Sequence, residues 1–245
     1  MNPDWLIPDW PAPARVRALV TTRAGGVSMA PYAGLNLGDH VGDDPARVAQ
    51  NRAILRASLP AEPAWLKQVH GIAVLDADSD IAASEADASV AHQAGPVCAV
   101  LTADCLPVLF CDRDGSVVAA AHAGWRGLVG GMLEATVAAM QVPADRIMAW
   151  LGPAIGAHAF EVGDEVRDAF VNAQAQADAA FIARTGSNKW LADIYALARF
   201  RLQRIGVNQV YGGGACTYSE AERFYSYRRD GVTGRMASLI WLESD

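Results

Sequence analysis

The chain has 245 residues, 52% of them hydrophobic and 19% charged, with a formal net charge of −7, and a chain of this length can bury roughly three quarters of its unfolded surface. No apolar run approaches the ~20 residues of a membrane span, and the Lys and Arg residues form no basic stripe able to neutralise a nucleic-acid backbone. Membranes and nucleic acids are therefore not expected partners, and the opening MNPDWLIPDW, with two Asp and no Lys or Arg, fits neither a signal nor a transit peptide and points to the cytoplasm.

In chain order, strand-length apolar runs are expected at residues 16–22, 64–69, 72–76, 97–101, 106–111, 117–121, 147–151 and 237–242. Helical patterns fall between them, the first at 45–59 with Asp43 or Asp44 as cap and Pro45 in the first turn. Others are expected at 127–140, 163–175 and 190–205. The turn signal Asp112-Arg113-Asp114-Gly115 predicts that 106–111 and 116–122 pair as an antiparallel hairpin. That hairpin brings position 122 to the sheet end where position 105 lies. The stretch 172–180, biased toward Ala, Gln and Asp, is expected to be an exposed helix or a mobile loop. With neither a boundary nor a repeat, residues 1–245 are expected to form a single α+β domain, a mixed α/β layered sheet.

Chemistry first shows itself in LTADCLPVLF. An unpaired carboxylate inside a buried strand costs several kcal/mol or stays protonated, so the apolar run should stop at Asp104 and Cys105 and present them. Only five His exist, at 40, 70, 92, 122 and 158. His70 closes WLKQVH before Gly71, and His122 closes AAAH before Ala123-Gly124. With Cys105 they supply three N/S ligands and leave one position free, the pattern of a catalytic zinc site at strand ends. Separations of 35 and 17 residues form no local chelate, so Cys105 as a nucleophile paired with His122 stays open as the rival. Gln68, two positions before His70, is placed on the same face of the expected strand and could line a pocket. Asp104 is either an acid–base group or a partner that fixes a His tautomer.

The four Cys form no CxxC pair, and disulfides are not expected. Cys98 and Cys111 are read as small buried hydrophobes, Cys216 as a buried thiol, and His40, His92 and His158 as structural. Three loops have an anion-binding composition. HAGWRG offers Arg126 between glycines, TTRAGGVS offers Arg23 and Ser28, and YSYRRDGVTGR offers Arg228, Arg229 and Arg235.

Taken together, TTRAGGVS, LNLGDHVGDD, KQVHG, TADCLPVLF, AAHAGWRGL, GPAIGAHAFEVG and FYSYRRDGVTGRMASLIWL resemble the YfiH laccase-domain family, also called peptidoglycan editing factors or purine nucleoside phosphorylase-like proteins. The resemblance runs in order from about residue 16 to 242. It implies that His70, Cys105 and His122 are zinc ligands. It also implies phosphorolysis of adenosine, inosine, guanosine and methylthioadenosine, and deamination of adenosine. A purine nucleoside and phosphate are then the partners, with Asp104, Arg126 and Gln68 as catalytic candidates and Arg23 and Ser28 holding phosphate or ribose. The older name of the family implies a copper polyphenol oxidase. A multicopper centre needs roughly eight or more imidazoles, however, so copper is expected only as an adventitious metal. A hydrolase that edits peptidoglycan precursors and a metal-stabilised binding protein remain the alternative functions. Nothing in the sequence forces assembly, and a monomer is expected.

Overall fold

The apolar runs assemble into stacked sheets in a computed structural model that describes residues 2–79 and 84–244. The first half of the chain forms β1 (Val16–Val20), α1 (Pro45–Arg56), β2 (Pro63–Ala64), β3 (Val74–Asp76), β4 (Ala88–Ala91), β5 (Val97–Thr102), β6 (Leu106–Asp112) and β7 (Val118–Ala123). The second half forms α2 (Trp125–Gly130), α3 (Met132–Ala139), β8 (Ile147–Leu151), β9 (Glu161–Val162), α4 (Asp164–Ala173), β10 (Phe181–Ala183), β11 (Trp190–Ala192), α5 (Ile194–Arg204), β12 (Gln209–Gly212), α6 (Tyr227–Asp230) and β13 (Met236–Leu242). One sheet has the order β1–β13–β5–β2, a second β12–β8–β6–β7–β4–β3, and β10–β11–β9 form a small third.

The two larger sheets face each other. Val20, Cys98, Val100 and Ile240 from the first pack with Leu109, Cys111, Val118 and Ala120 from the second. Strands β5, β6, β7 and β8 are buried along their whole length because each larger sheet also has a covered outer face. Leu55 of α1 closes the first sheet over Leu19, Ala99 and Leu239. Leu128, Leu133, Leu197 and Leu202 from α2, α3 and α5 close the second over Val108, Phe110 and Ala119. Burying a side chain such as Phe110, at 0% exposure, contributes about 1.5–3 kcal/mol. The mixed layered sheet expected from the sequence is therefore realised as helix, sheet, sheet, helix. No helix among the described residues is long and apolar enough to cross a membrane.

The expected hairpin forms, with Leu106 opposite Ala123 and Cys111 opposite Val118. Several expected elements differ in extent. The run 64–69 is not a strand: only Pro63–Ala64 pair with β5, and Lys67 makes an isolated bridge to Glu85. In place of a backbone ladder, the Gln68 amide group bonds the peptide of Leu101. The helix expected at 127–140 is two helices, broken where Gly131 takes φ 106. The pattern at 190–205 opens with β11, and helix α5 starts only after Asp193, whose carboxylate accepts from the amide of Ala196. Residues Ala175–Ala180 form a 3-10 turn with Ala177 and Ala180 buried. Strand β4 escaped the sequence pattern because Ala and Ser carry little strand preference.

Candidate metal centre

The chain turns sharply at two of the three candidate ligands. Cys105 follows Asp104, which takes φ 90, and begins the return from β5 into β6, while His70 itself takes φ 60 in the loop after β2. His122 is the penultimate residue of β7, opposite Pro107. Three segments distant in sequence thus meet at one end of the sheets.

The ligand atoms of His70, Cys105 and His122 all lie within 4.8 Å of one another. Cys105 Sγ is 3.8 Å from His70 Nε2, and the two imidazoles meet edge to face with centroids 4.8 Å apart. Zinc bonds of about 2.3 Å to sulfur and 2.0–2.1 Å to nitrogen, opened to a tetrahedral angle, put those two atoms about 3.6 Å apart. The donor set therefore fits such an ion with three protein ligands. His122 is buried, Cys105 half-buried and His70 exposed, so the open side lies toward His70.

Glycine makes the approach possible. A Cβ on Gly124 would stand 2.8 Å from His70 Cδ2 and 3.1 Å from Cys105 Sγ, and one on Gly127 would stand 2.9 Å from the carbonyl of Gly71. The small residues of HAGWRG are therefore accounted for by the packing of the His70 loop against the β7–α2 junction.

The carboxylate that organises the cluster is Asp87, which lies in none of the sequence motifs. It is fully buried, and its two oxygens accept the amides of Val69, His70 and Gly71 at 3.1, 2.9 and 2.7 Å and His122 Nδ1 at 2.8 Å. An ionised carboxylate only accepts, so Nδ1 carries the proton and Nε2 is left to bind. Burial pushes the Asp87 carboxyl upward, but the hydrogen bonds from His122 and Gly71 overcome it and hold the group below its ordinary value. The signal was present in ADASVAH, where an Asp precedes a run destined for the core, but the weak strand pattern of Ala88–Ala91 concealed it.

Electrostatics prepare the thiol for a cation. Burial opposes ionisation of Cys105, yet the charge and hydrogen bond of His122, followed by the contact with His70, bring it down to about 6. Burial likewise opposes charge on His122, and the Cys105 thiolate together with Asp87 raises it to about 9. A thiolate is the form that binds metal and also the form that acts as a nucleophile. A second imidazole on the same sulfur is what a metal needs and a nucleophile–base dyad does not. Cys98 and Cys111, in contrast, are buried thiols pushed up to about 12, chiefly by burial. All four cysteines are free, and Cys216, expected to be a buried thiol, is only half-buried, its sulfur accepting the amide of Gly156.

The remaining site candidates are dispersed. Asp104 bonds neither imidazole: its oxygens accept Thr217 Oγ1 and the amide of Arg228, each at 2.6 Å. The His tautomer is fixed by Asp87, and Asp104 instead anchors the first turn of α6. Gln68 is committed to Leu101 through both ends of its amide, at 2.9 and 2.7 Å. Ser28 Oγ donates to Asp43 at 2.6 Å and accepts from Asn51 at 2.9 Å. Arg23 donates to the carbonyls of Ala221 and Ala33 and lies over Tyr225, while Arg126 is exposed and stacks on Trp125. A cleft of about 770 Å³ lies beyond Gln68, walled also by Asp39, His40, Arg52 and Trp65.

The family described as multi-copper polyphenol oxidoreductase laccase matches residues 17–243. The chain belongs to this laccase family. Among its relatives, a Pseudomonas aeruginosa protein named purine nucleoside phosphorylase is 59% identical over 239 residues, 98% of each chain. The Escherichia coli protein named purine nucleoside phosphorylase YfiH is 58% identical over 240 residues, 97% of this chain and 98% of that one. A crystal structure of a Neisseria meningitidis protein superposes with a TM-score of 0.94 at 56% identity, covering 98% of this chain and all of that one. The YfiH resemblance carried by the motifs is thus confirmed. The copper in the laccase family's description does not fix the metal here, where the cluster offers one sulfur and two imidazoles.

Proposed function

We propose that this chain is a zinc-dependent purine nucleoside phosphorylase that also deaminates adenosine. The observation that carries the proposal is the His70–Cys105–His122 cluster, with its tetrahedral spacing and one open side, in a chain whose close relatives bear the phosphorylase name. When bound, a divalent ion there supplies Lewis acidity toward an oxygen of phosphate or water.

The chain's own residues supply the frame. Asp87 keeps the proton on His122 Nδ1 and pins the His70 loop through three amides, so two of the three ligands share one anchor. Asp104 ties the Cys105 turn to α6. In phosphorolysis a phosphate oxygen bonds to C1′ of the ribose as the bond from C1′ to the purine nitrogen breaks, giving ribose 1-phosphate and the free base. In deamination water replaces the exocyclic amine of adenosine, releasing ammonia and giving inosine.

Purified protein incubated with adenosine, with and without phosphate, tests both reactions by chromatography. Adenine and ribose 1-phosphate that appear only with phosphate show phosphorolysis, and inosine formed without phosphate shows deamination. Absence of every product from protein that carries its metal would overturn the proposal. Cys105→Ala should lose most of the metal and most of the activity together.

A further inference from the structure

Arginines on this protein are mostly consumed by their neighbours. Arg229 donates to three backbone carbonyls and pairs with Asp230, and both Nη atoms of Arg23 are held by carbonyls, while Arg228 is exposed and held through Nη1 alone, by the carbonyl of Glu161. Arg235 is different. Strands β13 and β5 are in register with Met236 opposite Thr102, so Arg235, one residue earlier, stands across from the turn through Ala103, Asp104 and Cys105. Burial holds its guanidinium below the ordinary value, and the negative charges of Cys105 and then Asp104 offset part of that.

The stem of this side chain is held firmly. Its amide donates to Asn36 Oδ1 at 2.9 Å, and the same oxygen accepts the amide of Gly38 at 3.0 Å. Gly38 leaves the stem its space, since a Cβ there would lie 2.8 Å from Arg235 Cγ. At the far end, Nη1 donates to the carbonyls of Thr233 and Gly234, each at 3.0 Å. Nε and Nη2 have no hydrogen-bond acceptor among the described residues, and no carboxylate there forms an ion pair with this arginine. Nε–H and one Nη2–H point in parallel from the same edge of a guanidinium, the fork that takes two oxygens of a phosphate or carboxylate at once. A half-buried guanidinium without an anion is costly to desolvate, and this one is anchored with its open edge unused.

We propose that Arg235 binds the phosphate co-substrate, presenting its Nε/Nη2 edge to two phosphate oxygens beside the His70–Cys105–His122 cluster. This role rests on the phosphorylase function proposed above and adds to it a residue that fixes the anion. Arg126, whose side chain has no hydrogen-bond partner among the described residues, is exposed and has no comparable anchor.

The test pairs steady-state kinetics with direct titration of inorganic phosphate into the metal-loaded protein, followed by calorimetry. Arg235→Gln should raise KM for phosphate by about tenfold or more and weaken phosphate binding equally. KM for the nucleoside and the metal content should stay near the parent values. Arg235→Lys should recover part of the loss, as a point charge without the fork. Gly38→Ala, which displaces the stem and keeps the charge, should shift KM for phosphate in the same direction as Arg235→Gln and serves if that variant folds poorly. Unchanged phosphate affinity in Arg235→Gln, or no phosphate binding by the parent protein, overturns the role. If the parent binds phosphate through Arg235 yet splits no nucleoside, the reaction proposed above fails and the anion site stands. If it splits nucleoside and Arg235→Gln leaves phosphate kinetics untouched, the reaction stands and the anion site fails.

Discussion

Asp87 Oδ1 sits 2.8 Å from His122 Nδ1 and 2.9 Å from the amide of His70, so a single buried oxygen sets one candidate ligand's tautomer and another's backbone. Carboxylates that orient metal-binding histidines typically change affinity by about 10–100-fold when removed. Asp87→Asn should weaken zinc binding by that order, as read by competition against a chromophoric chelator. Asp87→Ala should in addition lose about 1–3 kcal/mol of stability, because the three amides are left without their acceptor. A zinc affinity unchanged in Asp87→Asn would show that the carboxylate does not organise the cluster.

Gly124 is tested by adding a single methyl group. Its φ of −60 and ψ of 156 suit any residue, so Gly124→Ala introduces contact with His70 and Cys105 and no backbone strain. Metal affinity should drop by about tenfold, with the circular dichroism spectrum preserved. Full metal occupancy at the parent's affinity would mean that the two ligands give way freely.

Gln68 replaces a stretch of strand pairing with its own amide. Gln68→Ala leaves the Leu101 peptide without that partner and should cost about 1–3 kcal/mol in denaturant unfolding. The loss should extend to the His70 loop, so hydrogen exchange at Val69 to Gly71 should accelerate. Stability within error of the parent would sink this assignment.

Asp43 predicts part of the acid sensitivity. Burial raises its carboxyl, but hydrogen bonds from Asn36 and Ser28, then the amide of Asp44, prevail and hold it below its ordinary value. A depressed folded value means that the stabilisation is present above the unfolded value of about 3.9 and disappears as pH falls through the folded one. Asp43→Asn should therefore be less stable than the parent at neutral pH, with the difference shrinking below about pH 4. Thermal melts across that range check it, and a difference independent of pH would count against it.

The sequence by itself determined the core strands, the 106–122 hairpin, the family and the three residues that converge. Continuous apolar runs, a strong turn signal and short motifs are local quantities, and each candidate ligand sits inside its own motif. What tertiary structure decided is everything set by packing across elements. Asp87 reaches His122 because β4 pairs with β7, and Arg235 stands across from the turn before Cys105 because β13 pairs with β5. The run that ends in His70 reads as a strand from its composition, yet the Gln68 side chain takes over the pairing and frees the backbone to turn at His70. Hydrophobic patterning specifies which face of a segment is buried. It carries no information about which distant segment lies beside it, and so could not show which carboxylate holds His122 or which arginine stands opposite the turn before Cys105.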